Sequence, residues 1–148
     1  MSTRPYRCGL EDLGDGFHAW LQPDGGWDGG ASLLVDTLFD EPLTAIMLDA
    51  IEDATGIAAD DIDLLVNTHA NGDHTHGNAL VPNAEIIAST AAAQEMSELP
   101  PAALAQLKAA GAAGALGEAG SYFAEIFAPF DFTRARGRAP TRTFDCRL

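Results

Sequence analysis

The stretch "IDLLVNTHANGDHTHGN", residues 62–78, is the most informative part of this 148-residue chain. Its beginning, "IDLLVNT", is a leucine- and valine-rich run of the kind found in buried strands. The run leads directly into three of the four histidines of the chain and an aspartate. Because α/β folds bind their ligands at the carboxyl ends of strands, the sequence predicts a functional site here.

The spacing inside this histidine cluster predicts a metal site. If the strand continues into the cluster, His69 and Asn71 point to the same side, because alternate residues of an extended backbone share a face. Gly72 permits a sharp turn, so that Asp73 and His74 at the start of a new helix can face back toward His69. Imidazole nitrogens and a carboxylate oxygen that converge at such a junction are a ligand set that suits Zn²⁺.

Each of these polar residues also has a structural interpretation. Asp73 can be the N-cap of the helix that follows it, and Asn67 and Asn71 can satisfy backbone groups in a loop. His76 can be an exposed residue of the first helical turn, and for His76 alone the structural interpretation is favoured. His18 is solitary in a strand-like segment, and we expect it to be packed or exposed rather than a ligand.

The elements around the cluster alternate between strands and helices. Further strands are predicted at "FHAWLQP" (17–23), "ASLLVDT" (31–37) and "AEIIAS" (84–89). Between residues 40 and 56 the pattern predicts a helix with Asp40 as its N-cap, Pro42 in its first turn and Gly56 at its end. The predicted apolar face of this helix consists of Leu43, Ile46, Met47, Ala50, Ile51 and Ala54.

The rest of the pattern is helical. A short helix is predicted after the cluster, and the alanine-rich segment 90–130 predicts two or three small helices. The order strand, helix, strand, short helix, strand is an α/β pattern with crossover connections. The length suits one domain, residues 1–148.

The charge of the chain limits its partners. Twenty-two acidic and eight basic residues give a net charge of −14 at pH 7. Such a surface repels phosphates, so neither nucleic acid nor an anionic membrane is expected as a partner. No apolar run reaches membrane-spanning length, and the N-terminus lacks the apolar region of a secretory signal. Cys8 and Cys146 are expected to be free thiols, and a cytoplasmic location is predicted.

The segment "THANGDHTHGN" resembles the His-x-His-x-Asp-His signature of the metallo-β-lactamase fold superfamily. The resemblance extends over about residues 17–89 and includes "LLVDT" and "IDLLVNTH". It implies that His69 binds a first metal ion, that Asp73 and His74 bind a second, and that Asn71 stands where a second histidine is usual. It further implies one or two zinc ions, with iron or manganese as alternatives.

The chemistry that the resemblance implies is hydrolysis of a small-molecule substrate. In this family a metal-bound hydroxide attacks the carbonyl of an ester, thioester, lactone or lactam, and the aspartate equivalent to Asp73 orients the water and accepts its proton. Asn71 is a poor zinc ligand, and no histidine follows His76. These departures favour an alternative, a non-catalytic member of the fold that serves as a binding module.

The implied fold is a partial αββα sandwich, with one mixed sheet and flanking helices. We expect an incomplete domain that corresponds to the N-terminal half of the family's fold, with segment 90–130 as a lid-like region. The sheet face that a second half would cover is expected to be exposed, which favours self-association.

Overall fold

The computed structural model describes residues 9–14, 17–21 and 31–146, which fall into two compact units that divide after Ala31. The first unit contains an antiparallel hairpin of β1 (Gly9–Gly14) and β2 (Phe17–Leu21). Strand β2 confirms the strand predicted at this position. The side chain of His18 and the whole of Cys8 lie outside the described residues, whereas Cys146 is an exposed free thiol.

The second unit contains a four-stranded sheet. Its strands lie in the order β3 (Leu33–Val35), β4 (Leu64–Val66), β5 (Glu85–Ser89) and β6 (Arg142–Phe144), and all three pairings are parallel. Parallel neighbours need crossover connections, and helices provide them here. The α/β prediction is therefore confirmed, and the three strands predicted in this part of the chain are present with shorter bounds.

Five α-helices accompany the strands in the described ranges. They are α1 (Glu41–Thr55), α2 (Gly72–Thr75), α3 (Thr90–Glu98), α4 (Pro101–Ala112) and α5 (Gly117–Ile126). Single 3-10 turns occur at Ala59–Asp61 and Asn78–Leu80. The three helices α3 to α5 confirm the helical character predicted for segment 90–130; a lid-like role for it stays a prediction. No helix in the described ranges is long and apolar enough to cross a bilayer.

Helix α1 has the predicted ends but a different buried face. The Asp40 carboxylate accepts a hydrogen bond from the Leu43 N–H at 2.8 Å, and Gly56 ends the helix with φ of +79°. The buried residues are Thr44 and Leu48, whereas Ile46 is 66% exposed. The predicted apolar face is therefore wrong in part.

The buried face of α1 differs from the predicted one because of a close contact between the helix and a distant loop. A Cβ built on Gly77 would lie 2.1 Å from Oγ1 of Thr44, so helix and loop meet at van der Waals distance at this point. The Thr44 hydroxyl also donates to the Asp40 carbonyl and accepts from the Leu38 N–H. Because these hydrogen bonds and the contact with Gly77 hold Thr44 on the inner side of the helix, Thr44 is buried and the neighbouring Leu43 is not.

The two faces of the sheet differ in burial. One face of the sheet covers the main apolar core, and it carries the paired residues Leu34, Leu65 and Ile86 of three neighbouring strands. The core also contains Leu48, Ile62, Val81 and Ala84. On the opposite face, Leu33 and Val35 of the edge strand are 58% and 56% exposed. Ile87 of β5, on the same face as Val35, is only 5% exposed, so the exposure described is that of the edge strand. The expected open face and self-association through it stay predictions.

Candidate metal centre

Asp36 joins the carboxyl ends of β3 and β4. Its Oδ1 accepts a hydrogen bond from the Thr68 N–H and its Oδ2 accepts one from the Thr68 hydroxyl, both at 2.7 Å. Asp36 has φ of +59°, the only positive value at a non-glycine position in the described part of the chain. An aspartate tolerates this left-handed conformation better than most residues, and such positions cluster at functional sites.

The carboxyl group of Asp36 is held in its charged form. Burial opposes its ionisation, but hydrogen bonds from the backbone and hydroxyl of Thr68 and from the His74 ring outweigh burial and keep the pKa of Asp36 below its ordinary value. A negative charge is therefore fixed at the carboxyl end of the sheet at neutral pH.

Two histidines converge beside this carboxylate. The rings of His69 and His74 have centroids 4.1 Å apart. Asp36, His69 and His74 each offer one metal-ligating atom, and these atoms all lie within 4.8 Å of one another. His69 follows β4 directly and His74 lies in α2, so the convergence is a product of the tight strand–helix junction.

The hydrogen bonds assign the proton positions on both rings. Nδ1 of His74 lies 3.0 Å from Oδ2 of Asp36, and because a carboxylate only accepts, this Nδ1 carries the proton. The Thr68 hydroxyl donates to Asp36, so it must accept from Nδ1 of His69, which lies 2.8 Å away. In the neutral form of each ring, this arrangement leaves the lone pair on Nε2, where it can bind a metal ion.

Asp73 lies beside the second of these rings. Its Oδ2 is 3.4 Å from Nε2 of His74, and its side chain is 55% exposed. Helix α2 begins at Gly72 with Asn71 at the N-cap position, so Asp73 lies inside the helix and does not cap it. The carboxylate is therefore available at the surface of the site.

Asn71 does not take the position that an extended strand would give it. Strand β4 ends at Val66 and the chain bends between residues 68 and 70, so the expected extended geometry for His69 and Asn71 is wrong. The Asn71 side chain is exposed, and its backbone carbonyl accepts from the N–H of His74 and the hydroxyl of Thr75. The cluster of mutually close ligand atoms contains Asp36, whose position the sequence pattern did not single out as a ligand.

A buried network of amides holds the backbone at His74. The His74 carbonyl accepts from the Thr37 N–H at 2.9 Å and from Nδ2 of Asn67 at 3.1 Å. Nδ2 of Asn78 donates to the Asn67 side-chain oxygen at 2.8 Å and also to the Arg138 carbonyl. Asn67 and Asn78 are almost fully buried. The structural interpretation of Asn67 is thus confirmed, and Asn78 is a positioning residue that the sequence alone did not reveal.

His76 is a packed residue rather than a ligand. Its ring stacks on Phe39 with centroids 5.7 Å apart, and a Cβ on Gly72 would lie 2.3 Å from the ring. The side chain is buried, which lowers the pKa of His76, and Nδ1 has no hydrogen-bond partner among the described residues. The structural interpretation is confirmed, although the residue is buried and not exposed as expected.

The donor set fits a divalent metal ion. Each ligand bond of tetrahedral zinc is about 2.1 Å long, so neighbouring donor atoms lie about 3.4 Å apart. Oδ2 of Asp73 and Nε2 of His74 have this separation. His69 and His74 offer ligand atoms that lie within 4.8 Å of each other and of Asp36, and among the described residues Asp73 does not belong to this group. Asp36 already accepts three hydrogen bonds, and this favours a role in orienting the histidines over one as a ligand.

Comparisons with known proteins identify the family of the chain. The family model for the metallo-beta-lactamase superfamily matches residues 26–142, and members of this superfamily typically bind metal ions. The match overlaps the resemblance seen in the sequence and extends well beyond residue 89. A comparison with curated proteins finds no match.

Two solved structures are similar to parts of the chain. A metallo-beta-lactamase from Hirschia baltica is 26% identical over 47% of this chain and 32% of its own, with a TM-score of 0.40. The hydrolase AbOPH of the beta-lactamase superfamily is 23% identical over 80% of this chain and 40% of its own, with a TM-score of 0.41. The chain therefore spans well under half the length of these structures. On the strength of the family match, the chain belongs to the metallo-beta-lactamase superfamily.

Proposed function

We propose that this chain supplies the metal-binding residues of a hydrolase that cleaves an ester, thioester, lactone or lactam. The observation that carries the proposal is the pair of histidines, His69 and His74, whose Nδ1 atoms are both engaged by the Asp36–Thr68 hydrogen bonds. Superfamily membership supports the same reaction class.

Each residue near the site has a separate role in this proposal. His69 and His74 would hold zinc through Nε2, and Asp73 would complete the ligand set beside His74. Asp36 keeps both rings in the tautomer that binds metal, and Thr68 transmits its effect to His69. When bound, zinc supplies Lewis acidity that brings the pKa of water toward neutrality and polarises a carbonyl.

Asp73 is the residue proposed to handle the proton. Its carboxylate is half exposed and can be reached by water and substrate. A carboxylate adjacent to the metal ligands can accept a hydrogen bond from the attacking water, orient it and take its proton. A single carboxylate then serves both to hold the ion and to assist the reaction.

A panel of activated esters, thioesters, lactones and lactams tests the proposal. We expect turnover that a chelator abolishes and added zinc restores. Asp73→Asn should lower kcat/KM by about 100-fold or more, a typical contribution of proton transfer by a positioned side chain. Asp49→Asn, an exposed aspartate of α1, is the matched control and should leave kcat/KM unchanged. Turnover that survives both chelator and Asp73→Asn would contradict the proposal.

A non-catalytic binding module is the second candidate. It is favoured by the exposed Asn71 side chain at the position of a usual ligand, which leaves few donors for a second ion. Zinc bound with normal affinity, together with no turnover of any compound in the panel, is the outcome that selects this candidate. Chelator-sensitive turnover excludes it.

A further inference from the structure

An apolar cleft lies next to Asp73. It has a volume of about 480 Å³, within the range of about 300–1,000 Å³ that small-molecule sites usually occupy. Apart from Asp73, its lining residues are Leu38, Phe39, Leu43, Phe127 and Phe130. One wall therefore comes from the start of α1 and the loop before it, and the other from the end of α5 and the loop after it.

The aromatic walls of the cleft are held in place by one another. The ring of Phe39 packs edge-to-face against Phe127 and Phe130, at centroid distances of 5.3 and 4.9 Å. The ammonium of Lys108 donates to the Phe130 carbonyl at 2.6 Å, and the Asp131 N–H donates to the Asp40 carboxylate at 2.8 Å. These contacts fix the loop after α5, so a ligand would meet preformed walls at a low cost in entropy.

The charge of the cleft limits what it can bind. Among the described residues that line it, Asp73 is the one ionisable group, and the chain as a whole carries a net charge of −14. In the metal-free chain an anionic ligand would be repelled, whereas an uncharged chain or ring would bury apolar surface against five apolar side chains with or without the ion. The shared residue Asp73 joins this cleft to the histidines, since its Oδ2 lies 3.4 Å from Nε2 of His74.

We propose that the cleft binds the uncharged apolar part of the substrate, an aliphatic chain or an aromatic ring, and that the bond to be cleaved lies at the Asp73 end. The inference rests on the proposed hydrolytic function for its biological meaning. It therefore assigns to the hydrolase a substrate with a hydrophobic acyl or ring substituent, rather than a small substrate that is polar throughout.

The binding of neutral amides to chelator-treated protein tests the cleft without any catalysis. Butanamide, hexanamide and octanamide differ only in apolar length. Each buried methylene is worth up to about fourfold in affinity, and about twofold in an open cleft, so octanamide should bind at least about tenfold more tightly than butanamide. Calorimetry or ligand-observed NMR measures the dissociation constants.

Two matched variants of α1 locate the binding. Leu43→Gln alters a cleft residue that is 40% exposed, and Ile46→Gln alters a residue of the same helix that is 66% exposed and does not line the cleft. We expect Leu43→Gln to weaken octanamide binding by about threefold or more, and Ile46→Gln to leave it unchanged. On the unaltered protein, octanamide should shift the methyl resonances of Leu38 and Leu43 but not those of Ile46.

The outcomes separate this inference from the proposed function. Affinity that does not rise with chain length, or an equal effect of the two variants, overturns the cleft assignment even if ester hydrolysis is observed. Resonance shifts confined to other residues do the same. Chain-length-dependent binding in the cleft without hydrolysis of any ester supports the cleft and contradicts the hydrolase.

Discussion

Replacing Asp36 with asparagine is the sharpest perturbation of the metal centre. The amide has nearly the same shape as the carboxylate, and asparagine tolerates the observed φ of +59°, so the backbone needs no adjustment. The change removes an acceptor: when the amide oxygen faces the Thr68 N–H, the amide nitrogen faces the Thr68 hydroxyl and Nδ1 of His74. Two donors then meet, and His74 must change its tautomer.

The expected loss follows from the number of contacts involved. Asp36 accepts three hydrogen bonds at 2.7, 2.7 and 3.0 Å, and one of these orients His74 directly while another acts on His69 through Thr68. Residues that orient metal-binding histidines typically contribute about 10- to 100-fold to metal affinity. We expect Asp36→Asn to weaken zinc binding by about this factor and to lower the free energy of unfolding by about 1–3 kcal/mol.

Competition with a chromophoric chelator measures the zinc affinity, and nitrogen-15 NMR of the metal-free protein reports the tautomer of each imidazole. Asp63→Asn is the matched control, because Asp63 bridges the amino ends of the same two strands through the N–H and hydroxyl of Ser32. Zinc affinity equal in Asp36→Asn and Asp63→Asn, or unchanged imidazole resonances in Asp36→Asn, would refute the assigned role of Asp36.

Three further predictions concern the scaffold of the site. Gly72→Ala should lower the free energy of unfolding by about 1–3 kcal/mol, because the new Cβ would overlap the ring of His76, and thermal or denaturant unfolding measures this. Asn78→Ala should cost about 1–3 kcal/mol by the same assay, since buried polar partners lose their hydrogen bonds. Hydrogen bonds from Ser32, first from its backbone and then from its hydroxyl, hold the pKa of Asp63 below its ordinary value. The resulting stability is present above about pH 4 and is lost as the pH falls through the folded-state pKa, so Ser32→Ala should show a smaller loss of stability between neutral and acid pH.

The order of elements in the second unit could be predicted because its signals are local. The capping carboxylate of Asp40 and the terminal Gly56 determine the ends of α1 whatever lies around them. The buried face of α1 could not be predicted from apolar spacing. Thr44 packs against Gly77, which is 33 residues distant in the sequence, and this contact rotates the helix away from the face that contains Ile46.

The candidate site also combines residues that local sequence signals predicted with residues that only distant contacts bring there. His69 and His74 are close together in the sequence, and the junction between β4 and α2 brings their rings together in the fold. Asp73 contacts His74, but Asp36 and not Asp73 belongs to the group of mutually close ligand atoms. Asp36 and Asn78 lie outside this junction and contact it through hydrogen bonds that no local sequence pattern predicts. A signal for Asp36 existed in its position, since an aspartate directly after a parallel strand lies at the ligand-binding edge of the sheet.

The zinc content of the purified protein is the decisive measurement for the metal centre at His69 and His74. Zinc is measured by mass spectrometry after dialysis against buffer that contains no added metal, for the unaltered chain and for His69→Ala and His74→Ala. We expect at least one zinc ion per unaltered chain and a loss of bound zinc in each histidine variant, with far-ultraviolet circular dichroism unchanged. Zinc content that is the same in all three folded proteins would contradict it.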